Sequence, residues 1–161
     1  MNYLIITLSL GVGATMLTDL WGLLRKFLLG IPAPNYALVG RWFAHMIYGK
    51  FHHASIKTAS YIHGEAVIGW AAHYLIGIVF AALLIGIWGE TWIQHPTIGP
   101  ALVVGLGTVL APFLLMQPGM GSGIAASRTP NPGAARLQSF IMHGVFGLGL
   151  YVTGRVLSFF Y

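Results

Sequence analysis

The groups best suited to chemistry in this sequence open its second long apolar stretch, in HGEAVIGWAAHY, residues 63–74. This segment supplies one carboxylate, Glu65, and two imidazoles, His63 and His73. Such groups take up and release protons or ligate metal ions. Because the residues between them are lipid-soluble, the elements that position these groups must be identified first.

The composition indicates an integral membrane protein. Of 161 residues, 57% are hydrophobic and only 7% are charged, and the mean hydropathy is +0.78. A soluble domain carries about 25% charged residues, enough to cover a water-facing surface. The absence of cysteine excludes disulfides, thiolate metal sites and cysteine nucleophiles. The net charge of +5 has no aromatic–basic interleaving, so it indicates contact with anionic lipid and not with nucleic acid.

Four stretches are long and apolar enough to cross a bilayer, which takes about 20 helical residues. They are continuously apolar and not alternating, which excludes a membrane β-barrel. We therefore predict an all-α polytopic protein, a single domain over residues 1–161. Its four transmembrane helices are Tyr3–Leu24, Ala66–Trp88, Ile98–Met116 and Leu137–Phe160.

The charges are distributed unevenly between the loops. Residues 25–62 and 117–136 contain lysine or arginine and no acid, whereas residues 89–97 contain only Glu90. Cytoplasmic loops carry the excess of basic residues. We therefore expect both basic loops to face the cytoplasm of a bacterial inner membrane and both termini to face the periplasm.

Each basic loop contains a segment with its own expected structure. In PNYALVGRWFAHMIYGK, Asn35 is a suitable N-cap, and the helical spacing of Leu38, Trp42 and Met46 predicts an interfacial helix with these side chains in the headgroups. The second segment, MQPGMGSGIAASRTPNPGAARLQ, is either a re-entrant or cavity-capping stretch or a plain glycine-rich connector. Its amide groups, with Arg128 and Arg136 nearby, could hold an anion.

Helical spacing predicts that the polar groups of the spans converge. In the first span, Gly11, Thr15, Thr18 and Gly22 form a stripe of small residues with Asp19 on its flank. Small residues in transmembrane helices face other helices. We expect an inward polar cluster in the cytoplasmic half, with Arg136 as the counter-charge, made of Asp19, Glu65, His73, Gln117 and His143.

The sequence also resembles a family of small bacterial inner-membrane proteins known only as a domain of unknown function. The resemblance covers nearly the whole chain and is carried by TDLWGLLRKF, NYALVGRWFAHM, GEAVIGWAAHY, APFLLMQPGMGSGIAASRTPNPGAARLQS and HGVFGLGLY. It implies a multi-span bacterial membrane protein and supplies no activity or substrate. It also implies that ten residues lie in recurring motifs: Asp19, Trp21, Asn35, Arg41, Trp42, Glu65, His73, Gln117, Arg128 and His143.

Three functions remain open, beside a purely structural role in which the polar groups only hold the helices together. The first is transporter-like handling of a small solute or ion, in which Asp19 or Glu65 binds a proton or cation and His73 and His143 relay it. Four spans enclose little volume, so this function implies a homo-oligomer. The second is an intramembrane metal or haem site formed by His73 and His143. The third is a non-catalytic partner of a larger membrane complex. No hydrolase, phosphate-loop or dinucleotide motif is present, so enzyme activity is not expected.

The topology can be tested with single cysteines, because the chain has none of its own. We expect a membrane-impermeant maleimide to label Ser158→Cys in spheroplasts and to label Lys57→Cys only after permeabilisation. The opposite labelling pattern would show that the protein has the reverse orientation in the membrane.

Overall fold

The computed structural model describes residues 2–160, and within that range the chain is entirely helical apart from its loops. Four long apolar helices can cross a membrane, which confirms the predicted class. They are α1 (Tyr3–Leu29), α3 (Glu65–Gln94), α4 (Ile98–Gly119) and α5 (Pro132–Leu157). A shorter helix, α2 (Tyr36–Ile47), lies between the first two, and single 3-10 turns occur at Ile56–Thr58 and Ile124–Ala126.

Local sequence explains where the helices begin and end. The Asn2 side chain accepts hydrogen bonds from the amides of Leu4 and Ile5 at the start of α1, and Gly30, with φ of 66°, ends the helix. In α3, Gly89 adopts φ of 64° and interrupts the helix one residue after its predicted end. In α4, regular α-helix covers Ile98–Gly107, and a wide π-helical turn covers Pro112–Met116. Pro112 lacks an amide hydrogen and therefore accounts for the wide turn that begins there.

The contacts divide the chain into two compact units. Unit 1 comprises Met1–Ala33, Tyr74–Thr108 and Ile141–Tyr161. Unit 2 comprises Pro34–His73 and Val109–Phe140. Unit 1 therefore contains α1 and parts of α3, α4 and α5. Unit 2 contains α2, residues 34–62 of the first basic loop, the whole second basic loop and the remaining parts of those three helices.

Unit 1 is held together by close approach of its helices at small residues. A Cβ on Gly11 would meet the backbone of Ile78, and one on Gly149 would meet the backbone of Ala14. The predicted small-residue stripe of α1, from Gly11 to Gly22, is buried, as expected for a helix–helix contact in lipid. Around it lies an apolar core of Leu10, Ala14, Ala81, Leu84, Trp92, Ala101, Val104, Phe146 and Leu150.

Unit 2 is built on an equally close contact between α2 and the start of α3. A Cβ on Gly40 would collide with the carbonyl of Glu65, and one on Gly69 would collide with the carbonyl of Tyr36. Asn35 caps α2 by accepting from the Ala37 amide, as predicted. The prediction that Trp42 lies in the headgroups was wrong, because its side chain is 6% exposed, packs on Gly119 and donates to the Phe51 carbonyl.

The glycine-rich segment is attached to the loop that follows α2. The His53 amide donates to the Gly119 carbonyl at 2.9 Å, and the Ile56 amide donates to the Met120 carbonyl at 3.0 Å. The chain then turns through positive φ at Gly121, Gly123, Ala125 and Ala126. Such values are unusual for alanine and persist where packing imposes them. Within unit 2 the segment is therefore a cap packed on residues 53–56 and not a free connector.

We predict that Gly40→Ala destabilises the protein by about 1–3 kcal/mol, the usual range for overpacking, because the contacting atoms are backbone and cannot move aside. Thermal unfolding in detergent measures the effect. Gly86→Ala is the matched control, since a Cβ there meets nothing within 4 Å. Equal unfolding temperatures for the two variants would contradict the close α2–α3 contact.

Candidate functional site

The strongest polar contact of unit 2 joins α2 to the first residue of α3. Arg41 Nε donates to Glu65 Oε2 and Arg41 Nη2 donates to Glu65 Oε1, both at 2.7 Å. The side chains are 13% and 7% exposed, respectively. This fork geometry, two parallel bonds between guanidinium and carboxylate, is the strong form of an ion pair. It raises the pKa of Arg41 above its ordinary value.

The same two side chains also organise the loop between their helices. Arg41 Nη1 lies 3.2 Å from the carbonyls of Ile56 and Ala59, to which it donates. Glu65 Oε2 also accepts from the Ile62 amide at 3.2 Å. Each carboxylate oxygen and each guanidinium nitrogen is thereby engaged, so the pair holds residues 56–62 against both helices.

A second polar contact of unit 2 joins two histidines. His45 Nδ1 and His53 Nε2 lie 2.8 Å apart, and His45 Nε2 lies 3.1 Å from the Ser60 carbonyl. Their residues are 8% and 3% exposed. Burial lowers the pKa of His53, the charges of His45, Lys50 and His52 lower it further, and the Gly119 carbonyl opposes these effects.

Two open clefts flank His52 in unit 2. The first, of about 300 Å³, is lined by His52, Pro118, Gly123, Ile124, Ser127 and Arg128. The second, of about 200 Å³, is lined by Lys50, His52 and His53 together with Ala54, Ser55, Thr58 and Ala59. Neither lining contains a carboxylate.

Unit 2 as a whole is basic. It contains Arg41, Lys50, Lys57, Arg128 and Arg136 against the single carboxylate Glu65, a formal charge of +4 from five cations and one anion. Because Glu65 is already paired with Arg41, the cations that line the clefts, Arg128 and Lys50, have no carboxylate beside them in either lining. The site is therefore suited to an anion.

The polar residues predicted to converge are divided between the two units. In unit 1, Asp19 Oδ2 accepts from the Tyr74 hydroxyl at 3.0 Å. His143 Nδ1 lies 3.1 Å from Thr108 Oγ1 and 3.2 Å from the Gly105 carbonyl. In unit 2, His73 stacks on Tyr36 with ring centroids 4.1 Å apart.

The other two predicted residues also belong to unit 2. Gln117 Nε2 donates to Ser139 Oγ at 3.4 Å, and its Oε1 is buried without a hydrogen-bond partner among the described residues. Arg136 Nε donates to the Ala125 carbonyl at 2.8 Å, whereas the arginine paired with Glu65 is Arg41. Among residues 2–160, no group of three or more histidine, aspartate or glutamate side chains could hold a metal ion.

Sequence reasoning did not identify the histidine pair or the clefts. His53 directly follows His52 in the sequence, and only the structure shows that it is buried against His45. No periodic signal connects two histidines eight residues apart across the end of a helix. Arg41 had one signal, its place in the motif NYALVGRWFAHM, but nothing in the spacing linked it to Glu65.

The helices and the basic polar unit define a helical membrane protein with four candidate spans. The chain belongs to the family described as "Protein of unknown function (DUF2938)", whose profile matches residues 8–157. This finding confirms the resemblance to an uncharacterised family. No curated protein and no solved structure matches the chain.

We predict that Arg41→Lys lowers the free energy of unfolding by about 1–3 kcal/mol, because lysine keeps the charge but cannot reproduce the fork or the bonds to the loop carbonyls. Chemical unfolding in detergent tests this value. Arg155→Lys is the control, since Arg155 is exposed and its guanidinium lies 6.0 Å from the Phe159 ring centroid. A loss no larger than that of the control would show that the Arg41–Glu65 pair does not stabilise unit 2.

Proposed function

We propose that this protein is a transporter-like membrane protein that handles a small anionic solute, which it receives in the clefts beside His52. The observation that carries the proposal is the first cleft, where Arg128, Ser127 and His52 gather with no carboxylate among the lining residues. A guanidinium and a hydroxyl are donors that match carboxylate and phosphate oxygens.

The glycine-rich segment supports this assignment. A Cβ on Gly123 would collide with Ser127 Oγ and approach Arg128 Cγ to 2.9 Å. Both polar side chains are therefore packed around a position that only glycine fills without displacing them. Gly123 also has φ of 74°, which glycine adopts at little cost.

The carboxylates receive different roles in this proposal. Glu65 is a structural residue, because Arg41 and the Ile62 amide occupy its oxygens. Asp19, bonded to Tyr74 within unit 1, is the carboxylate that we propose as a proton carrier during solute movement. A solute path through so few spans also requires a homo-oligomer, which native mass spectrometry in mild detergent would detect.

The metal or haem function has less support. His73 is stacked on Tyr36, and His143 is bonded to Thr108 and lies beside the Gly105 carbonyl. These two histidines belong to different units. No observation favours a docking function over anion handling.

We predict that the purified protein binds inorganic phosphate or sulfate, and that Arg128→Gln weakens the affinity at least about tenfold, since a charged hydrogen bond contributes about 1.5–3 kcal/mol. Isothermal titration calorimetry measures the dissociation constants at fixed salt. The matched control is Arg155→Gln, which removes the same charge from unit 1.

Movement of the anion is tested separately from its binding. Proteoliposomes containing the wild-type chain should take up the bound anion, and Asp19→Asn should abolish uptake while binding is retained. Absence of binding for both phosphate and sulfate would overturn the proposed function. If Arg128→Gln and Arg155→Gln weakened the affinity for the anion equally, the anion would not bind in the first cleft.

A further inference from the structure

The carbonyl acceptor beside His45 determines the direction of each hydrogen bond in the histidine pair. The Ser60 carbonyl can only accept, so His45 Nε2 carries a hydrogen and donates to it across 3.1 Å. In a neutral ring, His45 Nδ1 then has a lone pair and accepts from His53 Nε2 across 2.8 Å. His53 Nδ1 is consequently left as a lone pair, and it is buried with no hydrogen-bond partner among the described residues.

This arrangement has a place for one more proton. The Gly119 carbonyl, which accepts from the His53 amide, also favours the charged form of the His53 ring. The two rings have four nitrogens, and in the neutral pair only two of them carry a hydrogen. A third proton would bind at His53 Nδ1, the nitrogen of the pair that lacks a hydrogen-bond partner among the described residues.

In the protein without an anion, the surroundings oppose that proton. His53 is desolvated, and His45 on α2 and Lys50 and His52 on the loop all disfavour its charge. From α3, Glu65 is near enough to His45 to interact with its charge, but Arg41 on α2 neutralises this carboxylate. These surroundings therefore disfavour the additional proton on His53 in the free protein.

An anion in the clefts would reverse this balance. His53 and Lys50 line the second cleft, and His52 lines both clefts. A negative charge there offsets the positive charges that oppose the proton, and the Gly119 carbonyl continues to favour it.

We propose that the His45–His53 pair is a proton-binding site that takes up one proton from solvent when an anion occupies the clefts beside His52. The proposal rests on the proposed function, because it requires that anion. The protein gains one anion and one proton, the proton comes from solvent, and no covalent bond changes. The protein would therefore bind its anionic solute together with one proton.

The direction of the pH dependence follows from linkage. Anion binding raises the pKa of the pair, so the complex holds more protons than the free protein. Affinity must then increase as the pH falls from 8 to 5, by at most about tenfold per pH unit for one proton. Sulfate is the suitable probe, because it does not itself titrate in this range.

The test is a ¹⁵N NMR titration of histidine-labelled wild-type protein in detergent, with and without saturating sulfate, and in parallel with phosphate. We expect the His53 titration midpoint to rise by about one pH unit with either anion, while that of His95 in unit 1 stays constant. Calorimetry in two buffers of different ionisation enthalpy should show proton uptake on sulfate binding near pH 6.

His53→Gln provides the matched variant, since its amide retains a donor for His45 but cannot gain a proton. We expect it to bind sulfate without the pH dependence, whereas His95→Asn should behave as wild type. An unchanged His53 midpoint with bound anion, or full proton uptake in His53→Gln, would overturn the proton site. If no anion binds, the proposed function fails instead, which the calorimetry reports separately.

Discussion

The ion pair of Arg41 and Glu65 is the interaction on which the structure of unit 2 depends. It joins α2 to the first residue of α3, and its spare donors hold the carbonyls of the intervening loop. A buried pair is stabilising only if its remaining hydrogen-bonding groups are satisfied. Here they are, through the carbonyls of Ile56 and Ala59 and the amide of Ile62. The loop fixed in this way carries His52 and His53 and the backbone to which the glycine-rich segment is bonded.

The electrostatic character of unit 2 follows from the same pair. Its single carboxylate is used within the protein, so Lys50, Lys57, Arg128 and Arg136 have no acidic counterpart in the unit. In a membrane protein such a surplus usually sets topology and contacts anionic lipid. Here Arg128 and Lys50 also line clefts, each beside hydroxyl groups and His52. The histidine pair adds a buried group whose charge depends on what those clefts contain.

The fold could be predicted from hydropathy and local rules, but the site could not. Continuous apolar runs predict the four spans, and an asparagine before a periodic segment predicts the start of α2. Positions 11, 15 and 18 of α1 could be assigned to the protein interior because helical geometry places small residues on one face. The contact of Arg41 with Glu65 joins positions 24 apart, and that of His53 with Gly119 depends on how two irregular segments fold back. Helical periodicity carries no information about such contacts, so the sequence predicts Arg136 as the counter-charge of the whole polar cluster and places Trp42 in the headgroups.

The most direct measurement of the central claim is a structure of the purified protein saturated with selenate, an anion located by its anomalous scattering. The account predicts a selenium peak in the clefts beside His52, within hydrogen-bond distance of Arg128 or Lys50. Ordered protein with no peak in either cleft, or a peak only against Arg155 in unit 1, would contradict it.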